Sequence, residues 1–166
     1  MGGGAVTYAV IDSPLGALTL VAADTGELAG LYMEQHRHRP PLETFGLRDD
    51  SILPEVQQQL KEYFAGERVA FDVPLKLTGT AFQQRVWEAL KGIPYGEVTT
   101  YGQLAVTLGL VPGASRAVGL ANGKNPVSII VPCHRVIGST GSLTGYGGGL
   151  DRKQRLLDHE RADVLF

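Results

Sequence analysis

The residues best equipped for chemistry lie together in Ile129-Ile130-Val131-Pro132-Cys133-His134-Arg135-Val136-Ile137-Gly138, which holds the single cysteine of the chain. A neutral thiol is a weak nucleophile and a thiolate a strong one. A cysteine therefore does covalent chemistry where a base or a positive charge lowers its pKa from about 8.5. Here an imidazole follows the thiol directly and a guanidinium comes next. The three β-branched residues before Pro132 read as a segment buried on all sides. Pro132 has no N–H and a fixed φ, so it stops a ladder or helix and leaves Cys133 where the chain turns. The plain alternative is a buried cysteine acting as a small hydrophobe, and Cys-His adjacency alone does not decide between the two.

The rest of the chain sets bounds on that chemistry. At 166 residues it is one domain or two small lobes. Its 43% apolar and 19% charged residues are enough for a packed core. No apolar run approaches the roughly 18 residues of a membrane span, and Met-Gly-Gly-Gly lacks the basic and apolar regions of a signal peptide. One cysteine excludes an internal disulfide and a multi-cysteine zinc site, which makes the cytoplasm the simplest compartment. The net charge of −2 argues against a heavily basic nucleic-acid binder, but it divides unevenly. Residues 1–78 carry 11 acids and 6 bases, whereas residues 79–166 carry 6 acids and 9 bases. Arg85, Lys91, Arg116, Lys124 and Arg135 give the second half a mildly basic character.

The elements that must position Cys133 follow from periodicity. Tyr8–Ile11, Leu18–Ala22 and Leu28–Met33, separated by turns at Pro14-Leu15-Gly16 and Thr25-Gly26, predict a β-meander. Residues 35–50 read as a polar loop, in which His36 and His38 are solvated histidines rather than metal ligands. A helix starts at Pro54, buries Val56, Leu60, Tyr63 and Phe64, and ends at Gly66. Phe71, Val73 and Leu75 alternate as a short strand. This half contains no catalytic constellation. From Thr80 the chain turns helical: a capping box at Thr80–Gln83 with a Phe82, Val86, Trp87, Leu90 stripe, then a second box at Thr100–Gln103 with Leu104, Ala105 and Leu108 facing inward. After a turn over residues 109–113 a third helix spans about 114–122, giving a helix-turn-helix pattern.

That third helix, Ser115-Arg116-Ala117-Val118-Gly119-Leu120-Ala121-Asn122, has little bulk and one cation. Such a face fits either close packing on a neighbouring helix or a smooth surface pressed on a large partner. In the second case Arg116 is the long group that could enter a nucleic-acid groove and fill a gap in the base stack. Residues 139–149 are rich in glycine but lack the Gly-Lys-Ser/Thr ending of a phosphate loop. They suggest a loop that passes close to a ligand, with Tyr146 as a flat wall. A last helix over about 150–161 carries Lys153, His159 and Glu160.

Ile-Val-Pro-Cys-His-Arg-Val-Ile-Gly at 130–138, Ser-Arg-Ala-Val-Gly at 115–119, Gly-Lys-Asn-Pro at 123–126 and Leu-Leu-Asp-His-Glu at 156–160 closely resemble the O6-alkylguanine-DNA alkyltransferases, the methylated-DNA–protein-cysteine methyltransferases. The resemblance covers most of residues 79–160 and, more loosely, the N-terminal lobe. It implies a ribonuclease H-like α/β lobe, a small antiparallel sheet with a helix, over residues 1–78. It implies a mostly α lobe with a winged helix-turn-helix over 79–166, which binds DNA and carries out the transfer. The implied reaction is DNA repair by single-turnover, irreversible transfer of an alkyl group from O6 of guanine, and O4 of thymine, to Cys133, on a base flipped out of the duplex. In that scheme His134 is the base, acting through a water, Glu160 orients it, and Tyr101 protonates the leaving guanine. Arg116, with Ala117, Gly119 and Tyr101, faces DNA. Asn125 holds the hinge before the active-site loop, and Val136, Tyr146, Gly147 and Lys153 line the base pocket. The resemblance implies no cofactor and no metal, since the two-Cys, two-His zinc of some relatives cannot form here. The implied partner is double-stranded DNA containing O6-alkylguanine, met by a monomer that can cluster on DNA, with no membrane. Two readings of other classes stay open: a Cys-His-Glu thiol enzyme acting on a small molecule, and a non-catalytic helix-turn-helix DNA-binding module.

Overall fold

The computed structural model describes residues 6–111 and 113–161. Strands β1 (Thr7–Ile11), β2 (Leu18–Ala22) and β3 (Leu28–Met33) form the expected antiparallel meander. β2 is buried throughout, because one face meets the main core and the other the small Val21, Tyr32, Phe45 cluster. Residues 35–50 are more ordered than a polar loop. They contain a 3₁₀ turn, Leu42–Phe45, and a two-residue strand β4 (Leu47–Arg48) that pairs in parallel with β1. Phe45 supplies what the polar composition hid, stacking on Tyr32 at 5.7 Å and anchoring the segment. His36 is only partly exposed: its Nδ1 accepts the Met33 N–H at 3.0 Å and its ring packs edge-on against Tyr32.

The sheet order is β3-β2-β1-β4, so β3 is an edge. An unpaired edge invites association, and here two bridges cover it. Leu28 bridges Leu75, and Leu31 bridges Val127. The first is all that forms of the strand expected at Phe71–Leu75, because Pro74 has no N–H to give a ladder. Its carbonyl accepts the Leu28 N–H instead. The second bridge ties the lead-in to Cys133 onto the N-terminal sheet. Helix α1 (Pro54–Phe64) buries Val56, Leu60, Tyr63 and Phe64.

Helix α2 (Ala81–Leu90) begins with a complete capping box between Thr80 and Gln83. Its Trp87 indole N–H donates to the Ala121 carbonyl at 2.9 Å. At α3 (Tyr101–Thr107) Thr100 accepts the Gln103 N–H but no reciprocal bond forms, and Leu108 is only half buried. Helix α4 (Ser115–Gly123) packs on α2 and α3, completing the helix-turn-helix. Strands β5 (Thr99–Thr100) and β6 (Val136–Ile137), two residues each and not foreseen, pair in parallel and bring the segment after Cys133 beside the start of α3. Helix α5 (Leu150–Arg161) closes the fold, burying Leu156, Leu157 and three ionisable side chains, Lys153, His159 and Glu160. No helix among the described residues is long and apolar enough to cross a membrane.

Candidate active site and nucleic-acid interface

The segment from Asn125 to Arg135 is wound into successive turns rather than extended. Asn125 braces it at both ends: its Nδ2 donates to the Val131 carbonyl at 2.7 Å and its Oδ1 accepts the Val127 N–H at 3.0 Å. Ile129 adopts φ 73°, a left-handed conformation that a β-branched residue rarely takes and that costs of order 1–3 kcal/mol. The buried contacts of Ile129, Ile130 and Val131 hold it there. Pro132 then precedes a 3₁₀ turn formed by Cys133, His134 and Arg135. In that turn the Cys133 side chain parts from the next two, which both reach Glu160.

Cys133 is 4% exposed. Burial pushes its thiol pKa up. The side chains of Asn125 and Ser128 and the Lys153 cation pull it back but do not overcome burial. The guanidinium that the sequence places two residues on does not assist the thiol. Arg135 turns away and grips Glu160, Nε to Oε1 at 2.8 Å and Nη2 to Oε2 at 3.0 Å, while Nη1 donates to the Ile93 carbonyl at 2.7 Å. The resting thiol is thus protonated, and a nucleophile has to be made by proton transfer.

His134 is fully buried and its Nε2 lies 2.8 Å from Glu160 Oε2. Burial opposes ionisation of Glu160, but the bonds and charges of His134 and Arg135 outweigh it and hold the carboxyl well below its ordinary range. Burial lowers the His134 pKa, and the Arg135 and Lys153 cations add to this against the pull of Glu160. Because Arg135 already balances the carboxylate, a neutral imidazole suffices. His134 donates Nε2–H to Glu160, and its Nδ1, buried and without a partner among the described residues, keeps a lone pair for a proton.

Around the thiol, Lys153 Nζ donates to the carbonyls of Val136 at 2.6 Å and Thr144 at 2.8 Å, and burial pushes its pKa down to about 8. It clamps the glycine-rich loop to β6 as much as it lines a pocket. Tyr101 donates to the same Thr144 carbonyl at 3.1 Å, and burial raises its pKa, so the phenol is a proton donor. Val136 and Tyr146 are buried, and the Tyr146 hydroxyl and Asn122 Oδ1 have no partner among the described residues. The glycines at 147 and 148 lie close against the protein's own N-terminal lobe. A Cβ on Gly147 would meet the His36 imidazole at 2.5 Å, and one on Gly148 would meet Met33 Sδ at 2.4 Å.

The second cluster is the outer face of α4. Arg116 and Ala117 are exposed, Leu120 is 64% exposed, and Gly119 lies against the Tyr101 ring. Tyr101, Ser115, Arg116, Gly119, Leu120, Thr144 and Gly145 line one open depression. Across it α4 faces the glycine-rich loop. Of the five bases between residues 79 and 150, Arg135 is buried in its ion pair, which leaves Arg85, Lys91, Arg116 and Lys124 for a surface.

The structure brings together Cys133, His134, Glu160, Tyr101, Asn125, Val136, Tyr146 and Lys153, all chosen by sequence reading. That reading missed Arg135 as the partner of Glu160, Ser128 and Asn122 beside Cys133, and above all Tyr63. Tyr63 reaches Glu160 from the other lobe at 2.6 Å. No sequence signal marks that contact, since Tyr63 falls on the apolar stripe of α1 like any core residue. Among the described residues no group of three or more His, Cys, Asp or Glu side chains is placed to hold a metal.

A ribonuclease-like sheet lobe joined to a helix-turn-helix lobe, with a buried thiol beside α4, defines a DNA-binding protein of the alkyltransferase class. The family models agree: the 6-O-methylguanine DNA methyltransferase ribonuclease-like domain matches residues 6–77, and the DNA-binding domain of the same name matches residues 81–162. The chain belongs to the 6-O-methylguanine DNA methyltransferase family. It is 53% identical over 157 residues to the methylated-DNA–protein-cysteine methyltransferase of Mycobacterium tuberculosis, covering 95% of this chain and 93% of that one. It is 48% identical over 153 residues to the protein of that name from Methanosarcina acetivorans, covering 92% and 97%. The crystal structure of the M. tuberculosis protein OGT in complex with DNA matches with a TM-score of 0.88 at 52% identity, covering 96% of this chain and 95% of that one.

Proposed function

We propose that this chain repairs alkylated DNA by taking the alkyl group of O6-alkylguanine, or of O4-alkylthymine, onto Sγ of Cys133. The observation that carries the mechanism is the buried His134–Glu160 pair, with its free Nδ1 one residue from a protonated thiol. His134 takes the thiol proton through a bridging water. The thiolate attacks the alkyl carbon, an S–C bond forms, the C–O6 bond breaks, and the electron pair returns to the purine. Tyr101 shifts its hydroxyl from the Thr144 carbonyl to the ring and supplies the proton with which a neutral guanine leaves. The C-terminal lobe, from residue 79 onward, does both the binding and the chemistry in this reading.

O6 lies on a base edge inside the duplex, and Cys133 is buried, so the base has to be extruded, at a few kcal/mol. The depression between α4 and Thr144–Gly145 is its route, and Arg116 takes the place it leaves in the stack. A thioether has no leaving group that water displaces at a useful rate, so each molecule acts once and needs no cofactor. The protein works as a monomer in solution, can cluster on DNA, and acts in the cytoplasm. A small-molecule thiol enzyme has no use for the exposed face around Arg116, and a binding module has none for the His134–Glu160 pair. Mass spectrometry after mixing with duplex DNA containing O6-methylguanine tests the reading. One added methylene on the peptide containing Cys133, in at most equimolar amount, is expected. An unmodified Cys133 would falsify it.

A further inference from the structure

We propose that Tyr63, from the N-terminal lobe, is a positioning residue for alkyl transfer, holding the Glu160 carboxylate in the orientation that receives His134 Nε2–H. The proposal rests on the roles given above to Cys133, His134 and Glu160 and extends them to a lobe that has no chemical part in that scheme.

Tyr63 lies 97 residues from Glu160 in sequence and its hydroxyl donates to Oε2 at 2.6 Å. The same oxygen accepts from His134 at 2.8 Å and from Arg135 Nη2 at 3.0 Å, while Oε1 accepts from Arg135 Nε at 2.8 Å. Four donors thus reach the carboxylate, three of them at Oε2, and Tyr63, the one from the other lobe, helps fix the plane of the group. The donor is itself immobile. Its ring is fully buried against Phe64, Phe71, Tyr95 and His159, with centroids 5.2 to 6.2 Å away. Its backbone carbonyl accepts His159 Nε2 at 2.8 Å. Helix α1 therefore grips two consecutive residues of α5, one through main chain and one through the hydroxyl. Burial, reinforced by the carboxylate, pushes the Tyr63 pKa well above its ordinary value, so the bond persists at every working pH.

The ionisable groups around this carboxylate are His134 and Arg135 from the active-site turn, Tyr63 from α1, and, further off, Tyr146 of the glycine-rich loop and Lys153 of α5. Tyr95 lies against Arg135. Removing the hydroxyl takes one donor from a carboxylate that then offers more negative charge to His134. The imidazolium becomes easier to form, and less of the base is free at a given pH.

The test compares wild type, Tyr63→Phe and Leu60→Val on duplex DNA carrying O6-methylguanine. Single-turnover methylation of Cys133 is followed from about pH 5 to 9, across the range in which a histidine titrates. Phe keeps the ring contacts, and Leu60→Val loosens the same face of α1 without touching Glu160. For Tyr63→Phe, the rate at saturating DNA should fall about ten-fold near neutrality, on the scale of one hydrogen bond to a charged group. Its acid limb should move to higher pH and its DNA affinity should not change. Leu60→Val should melt earlier with its limb in the wild-type position. A Tyr63→Phe limb that coincides with wild type overturns the proposal, whether the rate is unchanged or falls uniformly as for a loosened helix. Failure of the wild type to methylate Cys133 overturns the alkyl-transfer reading itself, and this proposal with it.

Discussion

Arg135 holds Glu160 side-on, with Nε to Oε1 and Nη2 to Oε2, and both side chains are almost fully buried. The pairing explains why a carboxylate can sit ionised in the core beside a neutral imidazole. It also sets a cost. Replacing Arg135 with Met leaves a buried charge uncompensated, which typically destabilises by about 3–5 kcal/mol. Denaturant unfolding of Arg135→Met should show a loss of that order, and adding Glu160→Gln should recover part of it. If the double variant is no more stable than Arg135→Met alone, the charge is not what Arg135 balances.

Cys133→Ser tests the nucleophile. An alkoxide is far harder to form than a thiolate, and the buried site favours the neutral group further. Alkyl transfer should be abolished while duplex binding, measured by anisotropy, stays near wild type. Transfer by the serine variant at a rate approaching that of wild type would remove Cys133 from the reaction.

Acid sensitivity should come in part from His36, alongside the buried His134. Burial is the main cause of a pKa near 4, with the Arg152 and Arg39 cations adding to it. The folded state thus binds its proton less readily than an unfolded chain, for which the value is about 6.5. Stability from this residue is fully present above about 6.5 and is lost as pH falls toward 4, by up to about 3 kcal/mol. His36→Gln should flatten the pH dependence of the unfolding free energy in that window. The Glu160 contribution, whose folded pKa is lowered, is lost only at more acid pH. Parallel curves for wild type and His36→Gln would show that His36 is not a sensor.

How far such behaviour is legible in sequence depends on the range of the interaction. The β-meander, α1, the Thr80 box and α5 are written in local patterns, and their bounds fall within a few residues of those observed. Cys133, His134 and Glu160 stand in recognisable motifs. What does not show is every contact made across the two lobes. His36 reads as a solvated loop residue because nothing local reveals Tyr32 and Gly147 around it. Arg135 reads as a helper of the thiol because adjacency in sequence says nothing about direction in a 3₁₀ turn. The glycines at 147 and 148 signal close approach, but not that the approaching group is the N-terminal lobe.

Arg116 tests the flipping mechanism beyond the motif. It stands exposed on α4 at the depression lined also by Tyr101, Gly119 and Thr144. If it occupies the space left by an extruded nucleotide, its removal should penalise only substrates that have to be unstacked. Arg116→Ala should slow single-turnover repair of alkylated duplex by roughly ten- to a hundred-fold, corresponding to about 1–3 kcal/mol of lost compensation for unstacking. Free O6-alkylguanine, already outside any stack, should react at about the wild-type rate, because Cys133, His134, Glu160 and Tyr101 are untouched. Single-stranded DNA should fall between the two. A role confined to one phosphate contact predicts something else: weaker binding to every DNA and a salt slope reduced by about one unit, without separating duplex from single strand. A folding defect predicts equal loss on all three substrates. Single-turnover rates on duplex, single strand and free base, with duplex affinity at several salt concentrations, distinguish these patterns. Equal loss throughout would leave Arg116 a structural residue and return the flipping step to other groups on α4.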